Sequence, residues 1–361
     1  MVFSIGRKQR SGSSVTSKLP FAKFLGPITC LGVVTAGGIL AISGRLELSS
    51  LAMFRGSSEL SSSADSTTNI TPVKLNLGQK SQTNIRIATF SIQGFGKQKA
   101  ADINVMRVLT HVISQFDVVA VQQIRGGDPR PIEALVNSLR NSGASYTATV
   151  SQPIGQGSQS ESYAFLWDDT RIQLVPDSAY VVQDTADRMY REPMVASFET
   201  RVGTADGRRP FRFTLINAHA LPAKAAAVGN EIDVLDDVYV RVRQYDYQTN
   251  GEEDCILLGN LNVDAAGLKE LGQIPGVQSI AGETKTNTLS NATQDHIIID
   301  ARMTREYSGR FGVLSLVDQL GLTQEQALQV SDHQPLWGEF SIYEVPNFDS
   351  LGSQSQAAAA Q

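Results

Sequence analysis

The residue types that move protons or grip polar ligands recur in this chain at the tips of stretches that read as β-strands. Ser91 follows Ile85 to Phe90, Gln123 follows Val118 to Val121, and His219 follows Phe211 to Ala218. Glu161 opens the stretch that continues as Tyr163 to Trp167, and Asp295 precedes Ile297 to Ile299. Ser331-Asp332-His333 stands just before Leu336 to Ile342. Histidine exchanges a proton near neutral pH, and a carboxylate beside it fixes its tautomer, so such a set suits acid–base work on a bound polar ligand. Each residue also has an ordinary structural use. A histidine at a strand end is commonly a satisfied surface residue, an aspartate a cap or turn former, and a glutamate a solvated strand edge. Their shared position at strand ends favours one crevice.

The sharpest case is Cys255 to Asp264, C-I-L-L-G-N-L-N-V-D. Its apolar run is short and uniform, as in a strand buried on both faces. Gly259 lets the backbone turn, and Asn260 and Asn262, two apart on an extended segment, would point the same way into a crevice. Asn-x-Asn also serves as turn chemistry, since asparagine bonds its own backbone and tolerates left-handed geometry.

Strand-like and helix-like segments alternate around these positions. Ala101 to Phe116 carries Ile103, Met106, Leu109, Ile113 and Phe116 at helical spacing behind Asp102, an N-cap type. Pro131 opens a second helix, with Gly143 beyond its end. Met194 to Thr200 reads as a strand and Ala223 to about Arg243 as a long helix. Mixed elements of this number predict sheets covered by helices in one α/β domain, spanning 85–345.

The chain has 361 residues and a formal net charge of −5, enough for such a domain. Residues 1–23 carry Arg7, Lys8, Arg10, Lys18 and Lys23 without an acid, so the remainder is more acidic than the whole. That body attracts no polyanion by itself; binding nucleic acid would need a metal or a local basic patch. Residues 24–44 carry no charge and are long enough to cross a bilayer, which predicts a membrane anchor with the folded domain outside the cytoplasm. Ala41-Ile42-Ser43 offers the alternative of a cleaved signal segment and secretion. Residues 45–84 are Ser-rich and read as a tether, and 346–361 as a loose tail. Cys30 and Cys255 make no disulfide framework, and no disulfide-linked partner is expected.

Eight segments occur in an order that resembles the endonuclease/exonuclease/phosphatase superfamily, the deoxyribonuclease I-like fold. They are I-R-I-A-T-F-S-I-Q-G-F-G, F-D-V-V-A-V-Q-Q-I-R, E-S-Y-A-F-L-W, R-E-P-M-V-A-S-F, I-N-A-H, I-L-L-G-N-L-N-V-D, Q-D-H-I-I-I and S-D-H-Q-P. The resemblance implies a four-layer α/β sandwich of two packed mixed sheets, with a divalent-metal (magnesium or manganese) phosphodiesterase or phosphatase site at their upper edge. It pairs His333 with Asp295 and His219 with Glu161 around a scissile phosphate. It makes Asp332 a metal ligand, Asn262 a contact to phosphate or nucleophile, and Arg191 in R-E-P-M a substrate contact, with Arg125 also placed near the site.

Three positions depart from the family pattern, which has Asn at Ser91, Glu at Gln123 and Asp at Asn260. Magnesium is held mainly by charged oxygen, so two amides in place of two carboxylates weaken any metal bound there. Two readings follow. One is a metal-dependent phosphodiesterase or nuclease-like hydrolase; the other is a catalytically silent relative that binds a phosphate ligand or a protein. The substrate class stays open among nucleic acid, lipid headgroup and sugar phosphate, the N-terminal segment adding the membrane as a partner.

Overall fold

A computed structural model describes residues 77–155, 157, 160–222 and 231–345. The predicted basic segment, anchor and nearly all of the tether lie outside the described residues, as does the tail.

The first sheet contains β1 (Asn84–Phe95), β2 (Val118–Arg125), β3 (Tyr146–Val150), β4 (Glu161–Asp168), β12 (Tyr307–Val313) and β13 (Leu336–Ser341) in the order β12-β13-β1-β2-β4-β3. The second contains β5 (Ile172–Leu174), β7 (Met194–Thr200), β8 (Arg212–His219), β9 (Cys255–Asn260), β10 (Val277–Ser279) and β11 (Asp295–Asp300) in the order β10-β11-β9-β8-β7-β5. The short β6 (Tyr180–Val181) pairs with β7. Each sheet has one parallel pair near its middle, β1 with β2 and β8 with β9, and antiparallel neighbours around it.

Side-chain alternation explains the layering. Ile85 and Ile87 of β1, Val118 and Ala120 of β2, and Tyr163 and Phe165 of β4 face Phe213, Leu215, Ile256, Leu258, Ile297 and Ile299 between the sheets. The alternate residues of the first sheet, Ala88, Phe90, Val119, Val121, Ala164 and Leu166, pack against α2 (Ile103–Ile113), α3 (Arg130–Asn141) and α6 (Gln324–Val330). Those of the second sheet, Ile216, Leu257 and Ile298, pack against α4 (Ile232–Asn250) and α5 (Lys269–Gln273). The result is the expected sandwich, helices on both outsides and two sheets within. Each large side chain buried there contributes roughly 1.5–3 kcal/mol.

Several boundaries differ from the sequence reading. Asp102 does cap α2, accepting from the backbone N–H groups of Asn104 and Val105, but a separate short α1 (Lys97–Ala101) precedes it. Ile103 is 70% exposed rather than part of the buried face, because at the first turn it looks past the sheet edge while Val105, Val108, Leu109 and Val112 meet it. The long helix ends at Asn250 instead of near Arg243, stopped by Gly251 in the left-handed region. Its predicted start, 223–230, lies outside the described residues. Sequence reading passed over β3, β5, β6, β10, β12, α5 and α6, which are short, at sheet edges or weakly patterned.

Candidate functional site

The faces that build the inter-sheet core continue upward into polar residues. On β8 the parity of Phe213 and Leu215 leads to Asn217 and His219, on β9 that of Ile256 and Leu258 leads to Asn260, and on β11 that of Ile297 and Ile299 leads back to Asp295. Strand register sets His219 beside Asn260 and Asn260 beside Asp295, a row across three strands. In the first sheet, Glu161 and Ser91 fall on the corresponding inward parity of β4 and β1. At Gln123 the backbone has φ 66° and the pairing with β4 slips, a bulge that adds a residue to β2.

Two imidazole–carboxylate pairs form across this edge. His219 Nδ1 donates to Glu161 Oε1 at 2.6 Å, joining the two sheets, and Arg191 Nε lies 3.4 Å from the same oxygen. The backbone N–H of His219 donates to the Tyr163 hydroxyl at 3.1 Å. His333 Nδ1 lies 2.8 Å from Asp295 Oδ2, which also accepts from Thr286 Oγ1 at 2.8 Å. Burial works against the charged form of His333, but the nearby Asp295 carboxylate and then Asp332 outweigh it and raise the pKa above that of free imidazole. Both pairings implied by the family resemblance are therefore present.

The three departing positions are engaged with one another or with a histidine. Gln123 Nε2 donates to Ser91 Oγ at 2.9 Å. Asn260 Nδ2 is 3.2 Å from His333 Nε2, while its Oδ1 accepts from the N–H of Asn262 at 3.1 Å. With Nδ1–H directed at Asp295, His333 presents a bare Nε2 to this amide.

Asn262 differs from the extended geometry expected of it. The strand stops at Asn260, and Asn262 has φ 54°, so the two side chains do not share a strand face. Asn262 Nδ2 donates to Ala220 O at 2.8 Å and its Oδ1 accepts from Gln294 Nε2 at 3.2 Å. This is the turn chemistry that Asn-x-Asn also permitted, and it locks the β9 exit to the β8 exit.

Asp332 Oδ2 accepts from Gln93 Nε2 at 2.7 Å. Its Oδ1 is buried without a hydrogen-bond partner and lies 3.8 Å from His333 Nε2. Arg125 is exposed at the end of β2, in register opposite Glu161, and runs beside Gly94 and Gly96, where a side chain would crowd it.

Supporting residues escaped sequence reading. Glu231 Oε1 accepts from the N–H groups of Tyr190 (2.6 Å) and Arg191 (3.1 Å), and its Oε2 accepts from that of Leu221 (2.6 Å), fixing the Arg191 loop against the β8 exit. Buried Gln122 donates to Asn217 Oδ1 at 2.7 Å and Thr89 Oγ1 at 2.9 Å, tying the sheets together beneath the crevice. Strand parity could have flagged Gln122 and Asn217; nothing local flags Glu231. Lys99 Nζ donates to Gln93 O and Val330 O, and burial lowers its pKa to about 8 despite Asp332.

No protein-family model matches the chain. Among curated proteins it is 26% identical to deoxyribonuclease-1 of Sus scrofa over 271 residues, covering 70% of this chain and 90% of that one. It is 27% identical to human deoxyribonuclease-1-like 1 over 278 residues, 74% of this chain and 87% of the relative. Among solved structures, the human nocturnin catalytic domain with bound sulfate aligns at 14% identity over 73% of this chain and 94% of its own, with a TM-score of 0.49. The sequence relationship and the two helix-covered mixed sheets together give the chain the deoxyribonuclease I-like fold, that of the endonuclease/exonuclease/phosphatase proteins.

Proposed function

We propose that the crevice binds a phosphodiester of a nucleic-acid backbone and hydrolyses it, with a divalent cation recruited chiefly through the substrate. The observation that carries this reading is the pair of intact dyads, His219–Glu161 at 2.6 Å and His333–Asp295 at 2.8 Å. The names of the curated relatives support the substrate class. Lipid headgroups and sugar phosphates have no comparable support.

The donor set suits a weakly held metal. Asp332 offers one carboxylate oxygen that lacks a hydrogen-bond partner, and Gln123 and Asn260 offer only neutral amide oxygens. Magnesium is commonly held by one or two carboxylates plus substrate phosphates, so Asp332 would hold it with the substrate and it would neutralise phosphate charge. The chain's own groups do the rest. Asp295 fixes the ring of His333 so that Nε2 can take a proton from an attacking water. Glu161 holds His219, which bonds a phosphate oxygen or protonates the leaving group, and Arg191 supplies fixed positive charge behind that carboxylate. The expected anchor would present this activity outside the cytoplasm.

A second reading, that of a silent phosphate-binding relative, is favoured by the contact of Asn260 Nδ2 with His333 Nε2. An amide there occupies the lone pair needed for proton transfer and cannot itself accept a proton. Assay of the full chain on a generic phosphodiester with magnesium, manganese or chelator separates the two. Hydrolysis that chelator abolishes supports the enzyme reading. Gln123→Glu with Asn260→Asp should raise the metal-dependent rate at least ~10-fold, about 1.4 kcal/mol of barrier. An inert wild type whose folded double variant gains activity establishes the silent reading. No gain in a folded double variant sinks the claim that these amides restrain the site.

A further inference from the structure

The crevice continues sideways past the His219–Glu161 dyad. Between the loop that follows β3 and the chain on either side of β6 lies a cavity of about 770 Å³. Small-molecule sites occupy roughly 300–1,000 Å³, so this space is large enough to take a ligand group. Both walls are fastened to the dyad. Ile154, in one wall, exchanges backbone hydrogen bonds with Glu161 at 2.7 and 2.9 Å. Met194, in the other, is in register with Asn217, which precedes His219 on β8 by two residues. Tyr190 and Glu192 line the cavity on either side of Arg191, whose Nε lies 3.4 Å from Glu161 Oε1.

The chemistry of these walls excludes one part of a nucleotide and suits another. Asp184, Asp187 and Glu192 line the cavity, and among the described residues no lysine, arginine or histidine does. A phosphate entering it would meet three acids and no counter-charge. Asp184 spends its carboxylate on the N–H groups of Ala186, Arg188 and Met189, which fixes that rim and leaves Glu192 as the half-buried acceptor. Burial pushes the Glu192 carboxyl above its ordinary value, and the charges of Asp184, Asp187 and Glu231 push it the same way against its own N–H. A nucleobase brings what this wall lacks. The amino groups of cytosine and adenine are donors that a carboxylate or an amide oxygen accepts, and Gln152 and Gln183 stand exposed at the mouth. Tyr180, Pro153 and Met189 supply ring and apolar surface for the face of a base.

We propose that this cavity is a base subsite, into which the nucleotide on the His219 side of the scissile phosphate turns its base. The inference rests on the phosphodiester reading of the crevice and narrows it. A base held in a duplex reaches a side pocket only after it unpairs, so the substrate is a single-stranded nucleic acid. Glu192 makes the subsite prefer a base that carries an amino group over thymine, whose corresponding edge offers a carbonyl.

The test is fluorescence anisotropy of the full chain in chelator, so that binding is read without hydrolysis. The probes are a short single strand of deoxycytidylate, one of thymidylate, a baseless strand of the same sugar–phosphate backbone, and a duplex. The deoxycytidylate strand should bind at least ~10-fold tighter than the baseless strand and the duplex, and about threefold tighter than thymidylate. Thr149→Trp, which fills the cavity from the edge strand β3, should bring deoxycytidylate down to the level of the baseless strand and leave the baseless strand unchanged. Glu192→Ala should erase the difference between deoxycytidylate and thymidylate. Equal binding of base-bearing and baseless strands by the wild type overturns the proposal, as does a base preference that survives in folded Thr149→Trp, or no measurable binding of any strand. Should Thr149→Trp fail to fold, Gln183→Trp at the exposed mouth decides in its place. Base-dependent binding without chelator-sensitive hydrolysis upholds the subsite and sinks the phosphodiesterase reading; hydrolysis without base-dependent binding does the reverse.

Discussion

Asn260 meets the imidazole of His333 at one contact, on the ring nitrogen that Asp295 leaves free. As the pair stands, the ring carries its proton toward Asp295 and the amide faces the bare Nε2 at 3.2 Å. A second proton on the ring obliges Asn260 to turn its carbonyl toward Nε2 and give up its bond to the Asn262 N–H. Because the folded chain holds the His333 proton to higher pH than free imidazole, this group stabilises the fold fully below the free-imidazole range. That contribution is lost as pH rises through the folded value. Asn260→Asp places a carboxylate at Nε2 and should move the loss to still higher pH. Histidine ring resonances followed by NMR against pH will show it, and an unmoved His333 titration in the folded variant removes Asn260 from this role. The dyads were legible in the sequence only through family resemblance, since Glu161 and His219 are 58 residues apart and sit on different sheets. The engagement of Asn262 in a turn was legible as an alternative, and its left-handed backbone settles that point.

At the scale of elements, local rules worked where a device is self-contained. Asp102 caps α2 with two N–H bonds at 2.9 and 3.1 Å, so Asp102→Ala should cost about 1 kcal/mol in denaturant unfolding. The same rules could not forecast β12, whose burial is slight and whose pairing is irregular, since it is held by tertiary register more than by its own pattern. Gly259 shows a different limit. Its φ is 146°, and a Cβ there would run into the carbonyl of Ala218 on the parallel neighbour β8. Sequence reading took this glycine as a turn, but it lies within the strand and permits close approach of two backbones. Gly259→Ala should destabilise by more than about 4 kcal/mol, measured by chemical unfolding, and should disturb the His219–Asn260 alignment. A small loss would mean that β8 and β9 can part without harm.

Across the whole molecule, period-two alternation connects core to chemistry. The residues that meet between the sheets and those that line the crevice belong to the same faces, so the burial that drives folding also aims Glu161, His219, Asn260 and Asp295. That is why the fold class was readable from apolar runs while sheet order was not. Local sequence announces strands but leaves their partners to long-range packing. The pairing of β1 with β13 has a consequence for biogenesis. Asn84 and Glu339 are joined at 2.8 Å across 255 residues, and β1 lies between β13 and β2. The first strand synthesised thus waits for the last, and contacts of such long sequence separation form slowly. Glu161 and His219 are both synthesised well before His333, so the residues of the first dyad are in the chain before the second can be complete. The crevice is therefore complete only once the C-terminal strand closes the sheet.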